Sequence, residues 1–480
     1  MFETSTAVQR MLIGGKWEER ERTIDVRDPQ DNSLIDTVPA ASADDMLLAI
    51  AEAKEGVRQA AKMPVHERAA ILGKTADIVK DRKEIFATII AREGSKTIKE
   101  ARGEVDRAVQ TLRLSSEEAS RINGETIAFD QVPGNENRVG YYYHFPVGLV
   151  GAITPFNDPL NLVAHKVGPA IAGGNAIVLK PATVTPLSAL YLAEAFLDAG
   201  LPPKILSVIT GKGGEIGDTL ITHPDVNMIS FTGGLKTGES IARKAGLKKI
   251  GMELGSNSPV IVLKDADLDQ AAASTVSGAF SAAGQNCLGV QRVFVQEEVY
   301  EIFAELMIQQ ASEYKVGNKL SEMTDMGPMI NVEEARRIEE WVEEAVNSGA
   351  RIACGGRRDG AFYMPTVLTD VPVHCRIAQE EAFGPVVSLF PCRDLESAIE
   401  AANRVDYGLQ AGIFTRDIDK AFRAVGQLEA GGVIINDSSD FRVDAMPFGG
   451  VKGSGIGREG VKFAIRRMTE EKVVCFKLEK

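Results

Sequence analysis

The chain has 480 residues, 44% of them hydrophobic and 25% charged, and a formal net charge of −13. That is an ordinary globular composition, long enough for about three domains of ~150 residues. The acidic balance argues against a nucleic-acid backbone or an anionic membrane as partner, and no apolar stretch approaches the ~18 residues of a membrane helix.

The N-terminal MFETSTAVQRMLIGGKWEER is mixed polar and lacks the basic-then-apolar layout of a signal peptide, which predicts a cytoplasmic protein. After a short strand-like start, roughly the first 120 residues read as helical. Ser42 predicts an N-cap, with Asp44 and Asp45 in the first turn and Met46, Ile50, Ala53 and Val57 at helical spacing. Residues 123–147 break this pattern. They read as two strands around the turn-rich PGNEN, with tyrosines 141–143 suited to packing or a subunit contact.

From residue 148 the rhythm becomes strand, helix, strand. GLVGAITPF, NAIVLKP, ILSVITG and MISFTGG are short apolar runs. TPLSALYLAEAFLDAGLPP between them predicts a helix with Thr185 as N-cap, Pro186 at the first helical position and Gly200 just past the end. A second series begins near residue 258 with SPVIVLKD, the helix-like DLDQAAASTVSGAFSAAG and QRVFVQ, and continues through GLQAGIFT and GGVIIND. Continuous apolar strands alternating with helices predict an α/β fold whose parallel sheets are covered on both faces.

The five cysteines are Cys287, Cys354, Cys375, Cys392 and Cys475. Their odd number and the lack of CxxC spacing argue against a disulfide framework or a structural zinc, and no metal site is predicted. Cys392 and Cys475 lie in apolar, strand-like contexts that favour a buried, inert thiol. His374 and Cys375 are adjacent, so on a strand they would face opposite ways. ITGKGGEIG (209–217) lacks the GxGxxG spacing of a dinucleotide fingerprint. GSGIGREG (453–460) follows no clear strand and reads as a structural loop. Cys287 differs from the other cysteines. Gly284 and Gly289 flank it, and glycine permits close approach of other groups.

Seven motifs occur in one order: TPFNDPLNLVAHKVGPA (154–170), LKPATVTP (179–186), SFTGG (230–234), MELGSNSP (252–259), GQNC (284–287), EEAFGP (380–385) and MPFGGVKGSGIGREG (446–460). Together they resemble the aldehyde dehydrogenase superfamily over essentially the whole chain. The C-terminal stretch looks most like the branch of lactaldehyde and non-phosphorylating glyceraldehyde-3-phosphate dehydrogenases.

The resemblance implies a Rossmann-like cofactor domain (1–122 and 148–253), an α/β catalytic domain (254–435), a small β bridging element (123–147 and 467–480) and a C-terminal return segment (436–466). It also implies a homodimer or homotetramer. The reaction implied is oxidation of a small polar aldehyde to its acid with NAD(P). Cys287 would be the nucleophile, Asn157 the oxyanion amide, Glu253 the general base and Lys166 a support for that base. Each has an alternative: a buried small thiol for Cys287, a turn residue for Asn157, a structural ion pair for Glu253 and a plain surface position for Lys166.

Cofactor contacts are implied for Thr154, Lys180, Thr183, Gly213, Gly217, Phe231, Thr232, Gly233, Gly234, Leu254, Glu381 and Phe383. Where NAD-preferring members often carry a glutamate, this chain has Thr183. No carboxylate there repels a 2′-phosphate, so NADP is the expected preference. Ser256 replaces the second glycine of the family's ELGG, and its Cβ is expected to restrict Glu253. Leu288 follows the cysteine and makes the pocket floor apolar.

Asn286 and Asp158 stand where the phosphate-using branch has arginine and tyrosine. An Asp158 aimed into the pocket would repel a phosphate. Arg442 is either a clamp for a carboxylate, sulfonate or phosphate tail or a surface arginine. Competing readings are a semialdehyde or anionic-aldehyde dehydrogenase, a coenzyme A-acylating enzyme (against which Glu253 counts), and a retired member with a structural role.

Overall fold

Five parallel strands run side by side in the order Leu206–Val208, Ala176–Lys180, Leu149–Ile153, Met228–Thr232 and Lys249–Glu253. In chain order this is 3-2-1-4-5, the order of a dinucleotide-binding α/β sheet. The computed structural model describes residues 10–479, so the polar N-terminal residues 1–9 and residue 480 of the bridging element lie outside the described residues. Side chains alternate between the two faces of the sheet. Ile177 and Leu179 join one hydrophobic cluster, while Ala176 and Val178 join another. Helices cover both faces, which explains why these strands read as unbroken apolar runs.

Ser42 does cap the helix Ala43–Lys62, through a reciprocal pair of bonds with Asp45. Thr185 does not cap the next predicted helix. That helix runs Leu187–Asp198 with Pro186 at the N-cap position, and the Thr185 hydroxyl is buried without a partner. Its cap comes from Glu93, whose carboxylate accepts the amides of Leu187 at 2.7 Å and Ser188 at 2.9 Å. A local cap rule cannot see a donor set satisfied from another helix. Gly200 lies just past the end at φ +98.

The two-residue strand Gly455–Ile456 pairs antiparallel with Lys249–Glu253, placing Gly455 opposite Glu253. GSGIGREG is therefore not a detached loop: it edges the first sheet. Two glycine-flanked residues are too short to show a strand period.

A second sheet has the order Arg351–Cys354, Thr366–Thr369, Val386–Cys392, Val290–Gln296, Ser258–Val262, Gln410–Phe414 and Gly432–Ile435, parallel except at its first strand. A third sheet joins Thr469–Lys477, Arg138–Pro146 and Glu125–Ile127, all antiparallel. Cys475 sits on its outer strand and is exposed, not buried as its apolar neighbours suggest, because the chain covers only part of this small sheet. Cys375 stands at the N-cap position of the short helix Arg376–Gln379 and so is not a strand residue. Among the described residues no helix is long and apolar enough to cross a membrane.

Candidate active site

Cys287 does not stand at the end of a helix. The helix Leu268–Phe280 stops, and Ala282 (φ 51), Ala283 (φ 55) and Gly284 (φ 68) then turn through left-handed conformations. Each alanine held there costs about 1–3 kcal/mol, so other contacts must hold the turn. Gln285 donates from its side chain to the Ala282 carbonyl at 3.1 Å and accepts from the Ile330 amide at 2.9 Å. Glu100, from a distant helix, accepts the Ala282 amide at 2.8 Å. A Cβ on Gly284 would lie 2.1 Å from the Gly384 carbonyl, so only glycine lets this turn meet AFGP. Asn286 accepts the Leu288 amide at 3.1 Å and closes the loop around Cys287.

Cys287, Asn157, Glu253, Glu381 and Phe383 line one cavity of about 330 Å³, together with Thr232, Gly233, Gly234 and Leu254. It lies at the carboxyl ends of Leu149–Ile153 and Met228–Thr232, the switch point where an open α/β sheet binds ligands. Phe383 (φ 47) meets Phe156 edge-on at 5.8 Å. Leu288 packs with Leu409, Phe448 and Cys287, giving the apolar floor its sequence predicts.

Burial pushes the Cys287 thiol up to about 12, with the Arg442 charge acting the other way. Glu253 is buried, and one of its oxygens has no partner. Burial first, and the Glu459 carboxylate second, raise it well above the ordinary carboxylate range. A Cβ on Gly449 would come within 2.9 Å of Glu253 Oε1. Ser256 does not restrict it: the Ser256 hydroxyl bonds Ser258 at 2.9 Å, and its amide donates to Glu381 at 2.8 Å. Gly255 is the tight position, since a Cβ there would strike the Glu381 carboxylate at 2.2 Å. Glu381 is raised to about 7 by burial.

Lys166 is no surface lysine. It is buried, and its ammonium donates to Glu459 Oε1 at 2.5 Å. Arg442 is not a surface arginine either. Its side chain is 6% exposed, its guanidinium sits 3.8 Å over the Phe448 ring, and its Nε has no hydrogen-bond partner. Asp444 lies 3.9 Å away and Glu459 3.6 Å away. Asp444 also takes a bond from His165 Nε2 at 2.8 Å and one from Arg107 at 3.0 Å. Asp158 is neutralised by Lys96 and by Arg107, 3.6 Å away, so it stands as half of an ion-pair cluster and not as a lone anion.

The other glycines leave a cradle. A Cβ on Gly214, Gly217 or Gly234 would meet no atom within 4 Å, and one on Gly213 only Lys180 at 3.9 Å. The Thr154 and Thr232 hydroxyls are buried without partners. Lys180 is buried, bonds only the Pro181 carbonyl at 2.8 Å, and is lowered to about 8 by burial. Thr183 donates to the Gly211 carbonyl at 3.1 Å. The Phe231 ring packs in the core beneath the Gly233 turn, where a Cβ on Gly233 would meet it at 2.5 Å. Open space at a helix start, a buried cation and unpartnered hydroxyls fit a pyrophosphate-bearing dinucleotide.

A sequence profile of the aldehyde dehydrogenase family matches residues 17–474. The chain belongs to that family. It is 47% identical over 468 residues to a 3-sulfolactaldehyde dehydrogenase of Priestia megaterium, covering 98% of each. It is 41% identical, with a TM-score of 0.95, to aldehyde dehydrogenase 21 from Physcomitrella patens in complex with the reaction product succinate, covering 98% of each chain. It is 42% identical, with a TM-score of 0.92, to the glyceraldehyde-3-phosphate dehydrogenase GapN from Methanocaldococcus jannaschii complexed with NADP, covering 95% of this chain and all of that one. The protein is thus an oxidoreductase acting on aldehydes.

Several residues of this aldehyde dehydrogenase's site escape sequence reasoning: Glu459, Asp444, His165, Glu100 and Glu104. Glu459 and Asp444 sit in glycine-rich or mixed loops that read as structural. Glu100 and Glu104 lie on Ile98–Ala119, which looks like a polar surface helix. Their signal is two glutamates four positions apart, on one helix face.

Proposed function

We propose that the chain oxidises a small polar aldehyde with an anionic tail to its carboxylic acid, using NADP in preference to NAD. The observation that carries the tail is Arg442. A guanidinium with 6% exposure, lying on Phe448 beside Cys287, with no hydrogen bond from its Nε and only the longer 3.6–3.9 Å ion pairs to Glu459 and Asp444, is a charge that an acid can engage. Relatives named for sulfolactaldehyde, succinate and glyceraldehyde-3-phosphate all handle anionic molecules, which supports the same reading.

Cys287 is the nucleophile in this reading. Its half-buried thiol is held protonated at neutral pH, so attack on the carbonyl must give up that proton, and Glu253 in its carboxylate form is the acceptor in the same cavity. The tetrahedral alkoxide takes N–H bonds from the Asn157 amide and the Cys287 backbone, each worth about 3–4 kcal/mol. Lys180 and the 232–234 turn would hold NADP, with Glu381 and Phe383 beside its ring, and the cofactor would supply the hydride acceptor. Glu253, once the thiol proton has left it for bulk water, draws a proton from the water that cleaves the Cys287 thioester, and the Lys166 charge favours its carboxylate form.

Thr183 favours NADP because its hydroxyl brings no anion to the ribose. The four segments named from the sequence remain our reading of the domains. The protein works in the cytoplasm as a dimer or tetramer. Val139, Tyr141, Tyr143 and Phe476 leave an apolar row 38–52% exposed on the third sheet, which a second copy would cover.

The test is absorbance at 340 nm with a panel of 3-sulfolactaldehyde, succinate semialdehyde, glyceraldehyde-3-phosphate and lactaldehyde, with both cofactors. A kcat/KM at least tenfold higher for one of the anionic aldehydes is expected. Equal efficiency on lactaldehyde removes the tail assignment, and better efficiency with NAD removes the cofactor preference.

A further inference from the structure

Glu100 and Glu104 are one turn apart on the helix Ile98–Ala119, hence on one face. Each reaches a different loop of the site. Glu100 Oε1 accepts the Ala282 amide at 2.8 Å, while its other oxygen accepts the Thr97 amide at 2.8 Å and the Thr97 hydroxyl at 3.0 Å. Glu104 Oε1 accepts the amides of Leu160 at 2.8 Å and Asn161 at 3.0 Å, and its other oxygen takes Lys96 at 2.8 Å. The first bond fastens the left-handed turn before Cys287. The second fastens the turn that follows Asn157.

We propose that this helix face is a clasp that sets the Cys287 loop against the Asn157 loop, with Glu100 and Glu104 as positioning residues. Neither lines the cavity; each acts through backbone amides. The two alanines at 282 and 283 would relax from left-handed φ if left alone. Gln285 holds the carbonyl side of Ala282, and Glu100 is the side-chain acceptor for its amide. The bond from Glu100 therefore decides whether the thiol stays where the oxyanion amide can serve the same carbonyl. The inference rests on Cys287 as nucleophile.

The experiment compares Glu100→Ala, Glu100→Gln and the double variant E100A/A282G in the full chain. It reads kcat with the best aldehyde of the panel, cofactor Kd by fluorescence, and the rate of iodoacetamide labelling at Cys287 by peptide mass. Glu100→Ala is expected to lower kcat at least tenfold and to speed labelling of Cys287 at least threefold, as the turn relaxes and the thiol leaves its half-buried place. Cofactor Kd should stay within twofold. Glu100→Gln keeps an acceptor for Ala282 and should retain kcat within fivefold. Glycine enters the left-handed region at no steric cost, so A282G should return most of the lost kcat.

A kcat within twofold of wild type in Glu100→Ala overturns the proposal. So does a double variant as impaired as Glu100→Ala, or a parallel loss of cofactor affinity. Turnover that survives Cys287→Ala would sink the nucleophile assignment itself, whereas the labelling rates report on the turn independently of it.

Discussion

The ammonium of Lys166 donates to Glu459 at 2.5 Å, the other Glu459 oxygen lies 3.6 Å from Arg442, and Glu459 and Glu253 both line a small cavity of about 20 Å³. That space holds about one water. A buried carboxyl raised by burial and by a neighbouring anion thus sits beside a carboxylate that Lys166 holds down to about 2.

Thioester hydrolysis should carry a pH limb set by Glu253. The base form of Glu253 fills only as pH rises through a value well above the usual carboxylate range, so hydrolysis should quicken with pH. Glu459→Gln removes the like charge and frees Lys166, and both changes favour the Glu253 anion. The limb should move to lower pH by at least about 1 pH unit, as read from pH profiles of single-turnover acid release. An unmoved limb would mean that Glu459 does not face the base.

Labelling of Cys287 in the protein without cofactor should be slow at neutral pH. With the thiol near 12, the thiolate fraction grows about tenfold per pH unit between pH 7 and 9, and so should the iodoacetamide rate at that residue. A plateau below pH 8 would contradict the burial argument.

Arg442→Ala should cut kcat/KM on the anionic aldehyde by about 10–100-fold, the worth of a charged hydrogen bond, while changing lactaldehyde less than threefold. Arg442→Lys should recover only part of it, because an ammonium cannot reproduce the planar fork. Steady-state kinetics on both substrates check this, and equal losses on both would assign Arg442 to holding Asp444 and Glu459 instead.

Thr183→Glu places an anion where none stands. The ratio of kcat/KM for NADP over NAD should fall at least tenfold, mostly through the KM for NADP. An unchanged ratio would move the 2′-phosphate elsewhere.

The two parallel sheets were legible because buried strands leave unbroken apolar runs between helices with local caps such as Ser42. The motif residues Asn157, Glu253, Cys287 and Glu381 could be named from sequence, and they meet in one cavity. What stayed hidden was tertiary. Glu93 and Glu104 cap helices that are distant in the chain. The Gly455–Ile456 strand is too brief to carry a period. Lys166, Arg442 and Asp158 could not be told from surface charges until their partners came from segments far apart. Ala282 and Ala283 carry no local mark of left-handed backbone, because the contacts that hold them belong to other elements.

The central claim is a thioester on Cys287 that Glu253 helps to cleave. Its most direct measurement is rapid quench of Glu253→Gln with aldehyde and NADP, followed by peptide mass. One equivalent of reduced cofactor is expected, formed more slowly than in wild type because the thiol proton also loses its acceptor, together with an acyl adduct on the peptide bearing Cys287 and steady turnover at least 100-fold below wild type. Unimpaired steady turnover with no adduct, or an adduct on another residue, would contradict it.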